Sequence, residues 1–234
     1  MQQLAFELAL PARPSFDNFA PGMNREVLAI LSAWIANDID ERSIYLWGQP
    51  GCGKSHLLLA TVDLARARYG SAVYLIGDEV AGLELDGALP ALAAIDDAQN
   101  MCTASQAAFF RLFQTLRENH TRLLVAGDAP PAVLTLREDV RTRVAAGLVF
   151  QLHLLSDQEK AEALINHARA RGFALASEAA DYLLRHSRRD LASLMALLDA
   201  ADRYSLQSKR PVNLPLLRDV LQLAQTRRTT DQRG

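Results

Sequence analysis

The sequence contains few of the residues that build disulfide frameworks or zinc sites. Only two cysteines, Cys52 and Cys102, occur among 234 residues, and they form no CxxC pair. The five histidines are scattered and add no metal-ligand spacing. Such cysteine usage is typical of a reducing compartment, where disulfides are rare. We therefore expect neither a zinc site nor a disulfide-stabilised secreted domain.

The sequence also lacks a large excess of one charge sign and long apolar runs. The formal net charge is −2, without the basic footprint of a dedicated duplex-DNA binder, so we expect no direct sequence-specific DNA binding. No apolar run approaches the ~20 residues that a membrane helix needs. The first residues also lack the pattern of a signal peptide. We therefore expect a cytoplasmic protein with no membrane attachment.

Short apolar runs alternate with helical patterns as far as residue 155. The predicted strands cover residues 43–47, 73–76, 91–95, 122–126 and 148–152, and the first two predicted helices cover residues 23–37 and 56–69. Thr103 and Gln106 have the spacing of a capping box and predict the start of a third helix. Strands that alternate with helices predict an α/β fold, with a five-stranded parallel sheet covered on both faces.

The pattern changes near Ser156, after which only helical patterns occur. Ser156 and Glu159 have the spacing of a second capping box, and Gly172 is expected to end the helix that they open. Further helices are predicted over residues 177–186, 189–204 and 213–224. The expected organisation is an extended leader over residues 1–22, an α/β core over residues 23–155 and a helical domain over residues 156–234.

The strongest signal lies between the first strand and the helix that follows it. This segment reads Gly48, Gln49, Pro50, Gly51, Cys52, Gly53, Lys54 and Ser55, which fits GxxxxGK[ST] in full. Such a loop turns its backbone N–H groups toward phosphates, and the helix start adds its positive dipole end. Lys54 would neutralise the terminal phosphates and Ser55 would ligate Mg²⁺. The sequence therefore predicts binding of ATP or ADP with Mg²⁺.

Two carboxylates follow the third predicted strand. Asp96 and Asp97 stand at its carboxyl end, and ligands bind at that edge of an open parallel sheet. Phosphoryl transfer calls for one carboxylate to hold the magnesium and a second to polarise the attacking water. We assign Asp96 to the first role and Asp97 to the second. In isolation the same pair would also fit a solvated turn.

Other charged residues are open to two interpretations. Asp128 would reach the γ-phosphate region if the fourth strand lies between the first and third strands. It is equally well explained as a turn-forming residue ahead of Pro130 and Pro131. Arg141, Arg143 and Arg189 would be ordinary surface residues in isolation. A phosphoryl-transfer site does, however, need positive charge beyond the P-loop lysine, from its own chain or from a neighbour.

With these segments in place, the chain resembles the AAA+ ATPases, and within them the DnaA/Hda family, from Phe16 to about Leu221. The segments that carry the resemblance are Phe16–Phe19, Tyr45–Leu57, Ile95–Gln99, Gly127–Pro131, Arg143–Leu148 and Arg189–Leu191. It implies an AAA+ P-loop core with a small all-helical lid.

Several site roles come from this resemblance alone. It places His56 in the nucleotide-binding core and Asp128 in the first sensor. It places Arg143 where the family carries an arginine finger that points at a neighbour's nucleotide, and Arg189 at the second sensor arginine in the lid. A slip of the alignment would exchange Arg143 for Arg141, so Arg141 stays the alternative finger.

The resemblance also implies a function and partners. The given sequence stops at Gly234 without the initiator's duplex-reading domain, and residues 76–96 form a short segment where the initiator carries extra helices. Gln3, Leu4 and Phe6 are similar to a peptide that binds the β sliding clamp. We therefore expect a regulator that promotes hydrolysis of DnaA-bound ATP, with DnaA and the clamp as partners. Whether the chain also forms a homo-oligomer is left open. The alternative is a DNA-stimulated ATPase such as a helicase loader. The sequence leaves open whether the regulator hydrolyses ATP of its own.

Overall fold

The computed structural model describes residues 13–83 and 89–231, with side chains up to residue 223. The chain divides into two compact units, an α/β unit over residues 13–154 and a helical unit from residue 155 onward. Within the described ranges no helix has both the length and the apolar character needed to cross a membrane.

The α/β unit is built on a single parallel sheet. Its strands are β1 (Ser43–Trp47), β2 (Val73–Ile76), β3 (Leu92–Asp96), β4 (Arg122–Gly127) and β5 (Leu148–Gln151). All neighbouring pairs are parallel, and the order across the sheet is β2-β3-β4-β1-β5. This confirms the predicted five-stranded parallel sheet. It also meets the condition set for Asp128, because β4 lies between β3 and β1.

Four helices belong to this unit. They are α1 (Arg25–Ala36), α2 (Lys54–Tyr69), α3 (Thr103–Glu118) and α4 (Glu138–Val144). Successive residues of a strand point to opposite faces of the sheet, and each face builds its own core. On one face, Ile44 packs in a cluster with Trp34 and Leu57. On the other, Tyr45 packs in a cluster with Phe109. The sheet is thus covered on both faces, as the sequence predicts.

One local prediction in this unit is wrong. Thr103 does not cap α3: it is the first residue of the helix, and the N-cap residue Cys102 makes no side-chain cap. The backbone N–H of Cys102 donates instead to the Asp78 carboxylate over 3.2 Å. The Gln106 side chain donates to the Met101 carbonyl and accepts from the Arg137 backbone N–H. Tertiary partners therefore replace the predicted capping box.

The helical unit contains α5 (Asp157–Ala170), α6 (Ser177–His186), α7 (Leu191–Ser208) and α8 (Leu214–Asp231). The predicted capping box before α5 is confirmed, because Ser156 Oγ accepts from the Glu159 N–H while the Glu159 carboxylate accepts from the Ser156 N–H. Fully buried leucines from all four helices form the core, namely Leu164, Leu183, Leu198 and Leu216. The C-terminal region is therefore the predicted helical domain.

An ionic cluster joins α5 to α7 in the helical unit. His167 Nε2 lies 2.6 Å from a carboxylate oxygen of Asp199. Arg171 pairs with Asp199 at 3.2 Å and with Asp202 at 2.8 Å. Asp199 and Asp202 are largely shielded from solvent whereas Arg171 is exposed, and the cluster adds polar contacts to an otherwise leucine-rich interface.

Candidate functional site

The loop between β1 and α2 takes backbone conformations that favour glycine. Gly51 and Gly53 have positive φ angles of 86° and 99°, a region that other L-residues adopt only with strain. A Cβ atom at Gly53 would lie 2.7 Å from Cε2 of Phe19, and one at Gly48 would lie 2.4 Å from the Leu152 carbonyl oxygen. Conformation and space together explain the glycines of the motif.

Lys54 is held inside this loop. Lys54 is the first residue of α2, and it is only 8% exposed. The ammonium donates to the Gly48 carbonyl over 2.7 Å and to the Gln49 carbonyl over 3.4 Å. Beside it, burial raises the pKa of the Cys52 thiol, so this cysteine stays neutral and unreactive. The loop thus places a cation at the start of α2, where the first backbone N–H groups of a helix have no partner within the helix, and this suits a phosphate chain.

The segment before α1 lies against the start of α2. The His56 ring nitrogen Nε2 is 2.9 Å from the Ser15 carbonyl, and the Phe19 ring centroid is 5.4 Å from that of His56. A further contact involves Asn24, just before α1. The buried Asn24 amide exchanges two hydrogen bonds with the backbone of His153, at 2.8 and 2.9 Å. It fastens the chain beyond β5 to the start of α1.

Asp96 ends β3 and is 2% exposed. Its Oδ1 accepts from the Asp97 backbone N–H and its Oδ2 accepts from the Tyr74 hydroxyl, each over 2.9 Å. Burial, followed by the charge of Asp96, raises the pKa of Tyr74, so the phenol keeps its proton and acts as the donor. Asp97 has a φ of 50°, and its carboxylate accepts from the Gln99 amide over 3.0 Å.

The sheet brings three predicted site regions to one edge. Trp47 pairs in register with Gly127, and Ile95 pairs with Val125. The carboxyl ends of these strands therefore lie side by side, and they carry the P-loop, Asp96 and Asp128. Asp128 itself is exposed, while the Tyr45 hydroxyl donates to the adjacent Ala129 carbonyl over 2.7 Å. Burial and the Asp128 charge both raise the pKa of Tyr45.

Arg141 and Arg143 lie on α4, and both side chains contact their own unit. The Arg143 guanidinium carbon is 3.7 Å from the centroid of the Phe110 ring, and one N–H donates to the Asp139 carbonyl over 2.7 Å. Arg141 donates to the Ala132 carbonyl over 3.2 Å. Arg143 therefore rests on an aromatic surface, whereas Arg141 fastens the turn at residues 131–133.

Arg189 belongs to the helical unit, just before α7. Its side chain is 68% exposed and lies 3.9 Å from the Asp157 carboxylate, a weak surface ion pair. The next residue, Asp190, caps α7 by accepting from the Ser193 N–H over 2.8 Å. The role of Arg189 as a second sensor remains a prediction. Gln3, Leu4 and Phe6 lie outside the described residues.

The residues at the sheet edge fit a nucleotide with Mg²⁺ better than a metal ion held by protein alone. Across the described chain, no group of three or more His, Cys, Asp or Glu side chains is arranged to hold a metal ion. Mg²⁺ keeps several waters and is usually bound by one or two protein groups together with substrate phosphates. Ser55 and the buried Asp96 supply such a partial set.

The arrangement of sheet and helices is shared with solved structures. Domain III of the Thermotoga maritima replication initiation protein DnaA aligns with a TM-score of 0.73 at 18% identity, over 91% of this chain and 97% of that chain. AMPPCP-bound DnaA from Aquifex aeolicus aligns at 0.69 and 20% identity, over 86% and 71%. The Thermotoga maritima RuvB Holliday junction branch migration motor aligns at 0.64 and 16% identity, over 90% and 72%. The fold is a DnaA-like AAA+ fold.

One part of the chain also matches a protein-family model. Residues 157–221, which contain α5 to α7 and the first part of α8, match the family model described as the Hda lid domain. The chain therefore combines a DnaA-like AAA+ fold with a helical segment that is similar to the Hda lid domain.

Proposed function

We propose that this chain is a nucleotide-binding AAA+ regulator that lowers initiator activity by promoting hydrolysis of DnaA-bound ATP. The observation that carries the proposal is the match of residues 157–221 to the Hda lid domain. The DnaA-like AAA+ fold of the chain supports it. An AAA+ unit related to the initiator has the right shape to pack against the initiator as a neighbouring subunit would.

The first part of the proposal concerns the regulator's own nucleotide. The P-loop backbone and Lys54 would hold the phosphates of ATP or ADP, with Ser55 and Asp96 on the magnesium. The bound Mg²⁺ would neutralise phosphate charge. The Asp97 carboxylate would accept a proton or orient a water, which leaves a weak ATPase activity of the chain open. A DnaA structure bound to AMPPCP supports a nucleotide in this fold.

The second part assigns Arg143 as the arginine finger that acts on DnaA. Its guanidinium is planar and permanently charged, and it can engage two phosphate oxygens together. One N–H is bonded to the Asp139 carbonyl, and a guanidinium carries five N–H donors. Positive charge supplied in this way stabilises the transition state of phosphoryl transfer. Arg141 stays the alternative candidate, since it also lies on α4 and, like Arg143, donates to a carbonyl of its own unit.

The third part is the tether to the sliding clamp through Gln3, Leu4 and Phe6. An extended peptide with one polar and two apolar anchors suits a small preformed pocket. Replacing all three residues by alanine should eliminate co-elution with the clamp and leave nucleotide affinity unchanged. The matched control replaces Gln2 and Glu7 in the same peptide. If the triple variant still co-elutes with the clamp, the tether lies elsewhere.

The proposed function is tested by measuring hydrolysis of the ATP that is bound to DnaA. DnaA is preloaded with labelled ATP and mixed with the regulator, clamp loaded on DNA, and unlabelled ADP. We expect the labelled ATP to be hydrolysed much faster with the regulator than without it. If the regulator leaves DnaA-bound ATP intact but hydrolyses ATP of its own when DNA is added, the chain is instead an autonomous DNA-stimulated ATPase.

A further inference from the structure

Tyr74 belongs to none of the sequence motifs, yet its hydroxyl contacts the nucleotide edge of the sheet. It lies on β2, the edge strand next to β3. Its O–H donates to Oδ2 of Asp96 over 2.9 Å. A partly buried tyrosine hydroxyl normally finds a polar partner. Here the partner is the carboxylate that we assign to magnesium.

The register of β2 and β3 explains how the ring reaches this carboxylate. Tyr74 pairs with Ala94, and Ile76 pairs with Asp96, so Tyr74 and Asp96 are diagonal neighbours on one face of the sheet. Such diagonal positions are within reach of an aromatic side chain. The small side chain of Ala94 leaves space for the tyrosine ring above it. The contact is therefore built into the strand register.

The hydroxyl completes a two-point support of Asp96. Oδ2 accepts from Tyr74 and Oδ1 accepts from the backbone N–H of Asp97, so each oxygen has one protein donor. One bond comes from β2 and the other from the backbone of the residue that follows β3, and together they fix both the position and the rotation of the carboxylate. An ionised carboxylate offers about four acceptor sites on its two oxygens. Each oxygen therefore keeps acceptor capacity for a ligand.

We propose that Tyr74 is a positioning residue for Asp96, which holds the carboxylate in the orientation that receives the magnesium of a bound nucleotide. The inference rests on the nucleotide site proposed above. Donors that orient a metal-binding group typically change metal affinity by ten- to a hundredfold when they are removed. Tyr74 acts through Asp96 and has no direct role toward the nucleotide.

The test is Tyr74→Phe, which keeps the ring and removes the hydroxyl. ADP binding is measured by calorimetry across a Mg²⁺ titration, and again with a chelator present. We expect the Mg²⁺ midpoint to rise about tenfold in this variant, while ADP affinity without magnesium stays at the wild-type value. Asp96→Asn serves as the reference for full loss of the magnesium contribution.

The matched control is Tyr69→Phe, which removes a tyrosine hydroxyl that donates to the Ile35 carbonyl, away from Asp96. This control should leave the Mg²⁺ midpoint unchanged. A wild-type midpoint in Tyr74→Phe, with Asp96→Asn impaired, overturns the role of Tyr74 and leaves the proposed site intact. Equal losses with and without magnesium also overturn it, because they indicate a general structural role. If the wild type binds ADP without regard to magnesium, the Asp96 assignment fails as well.

Discussion

In the proposed function, the P-loop and the surface of α4 would supply charge to phosphates in two different ways. In the P-loop, Gly51 and Gly53 set the backbone in left-handed conformations, and Lys54 is buried behind them. On α4, an ordinary helix carries Arg143, and the position of its guanidinium depends on the Phe110 ring. The first region is fixed by its backbone, while the second is fixed by side-chain contacts that a partner can replace.

The energies of the two regions fit their proposed roles. A left-handed residue with a Cβ costs roughly 1–2 kcal/mol, so the conformation of the P-loop depends on its glycines. A cation–π contact at an exposed site contributes about 0.5–1 kcal/mol. That is enough to orient Arg143, and little enough for the guanidinium to exchange the ring for a phosphate. The P-loop is therefore suited to permanent binding, and α4 to contacts made and broken with a partner.

The largest expected effect is at Lys54. Lys54→Ala removes the buried cation while the backbone of the loop remains, so nucleotide affinity should fall by roughly a hundredfold or more, as expected when charged hydrogen bonds are lost. Calorimetry with ADP and ATP measures it. Lys160→Ala is the control, because Lys160 only pairs with Asp157 on the helical unit. Unchanged affinity in the Lys54 variant would refute the phosphate site.

A smaller effect is expected when the loop backbone is altered. Gly53→Ala adds a Cβ in a left-handed conformation and within 2.7 Å of the Phe19 ring. We expect ADP affinity to fall about tenfold, because relief of the strain moves the loop. Gly70→Ala is matched, since Gly70 also has a positive φ but no atom within 4 Å of the added Cβ.

Gly70→Ala should lower the free energy of unfolding by about 1 kcal/mol, measured in urea, with wild-type ADP affinity. Because Gly70 follows the C-terminal end of α2, equal losses of ADP affinity in the two glycine variants would show a general effect of destabilising the unit and not a local effect on the P-loop.

The smallest expected effect concerns Phe110. Phe110→Leu removes the ring below Arg143 and should slow the stimulated hydrolysis of DnaA-bound ATP about two- to fivefold, the equivalent of the lost cation–π contact. Phe110→Tyr should restore the rate. Phe113→Leu should have a smaller effect than Phe110→Leu, because the Phe113 ring centroid is 5.9 Å from the guanidinium, near the outer limit of a cation–π contact. A rate equal to wild type in Phe110→Leu would mean that the ring does not orient Arg143.

The same contrast explains what the sequence could predict. The P-loop was recognisable because its glycines and lysine are fixed in spacing along the chain. The strand pattern predicted a parallel sheet but left its order open, and the structure has β4 between β3 and β1, as the interpretation of Asp128 required. Tyr74 was missed, because a tyrosine in the apolar run of β2 has the pattern of a core residue. Its role depends on the register with β3.

One further error of prediction has the same physical origin. Thr103 and Gln106 had the right spacing for a capping box, but Asp78 satisfies the Cys102 N–H from a distant part of the chain. The buried hydrogen bonds of Asn24 with His153 likewise join residues far apart in sequence. Local patterns predict elements and their starts, whereas polar contacts between elements depend on the assembled fold.

The most direct test of the central claim is the single-turnover rate of DnaA-bound ATP hydrolysis with Arg143→Ala, beside Arg143→Lys and Arg141→Ala. We expect Arg143→Ala to lose the stimulation, on the order of a thousandfold for an arginine finger, with clamp binding and nucleotide affinity unchanged. Arg143→Lys should fail nearly as badly because it lacks the planar fork, and Arg141→Ala should keep the stimulation. Wild-type rates in both alanine variants would contradict the trans-acting mechanism.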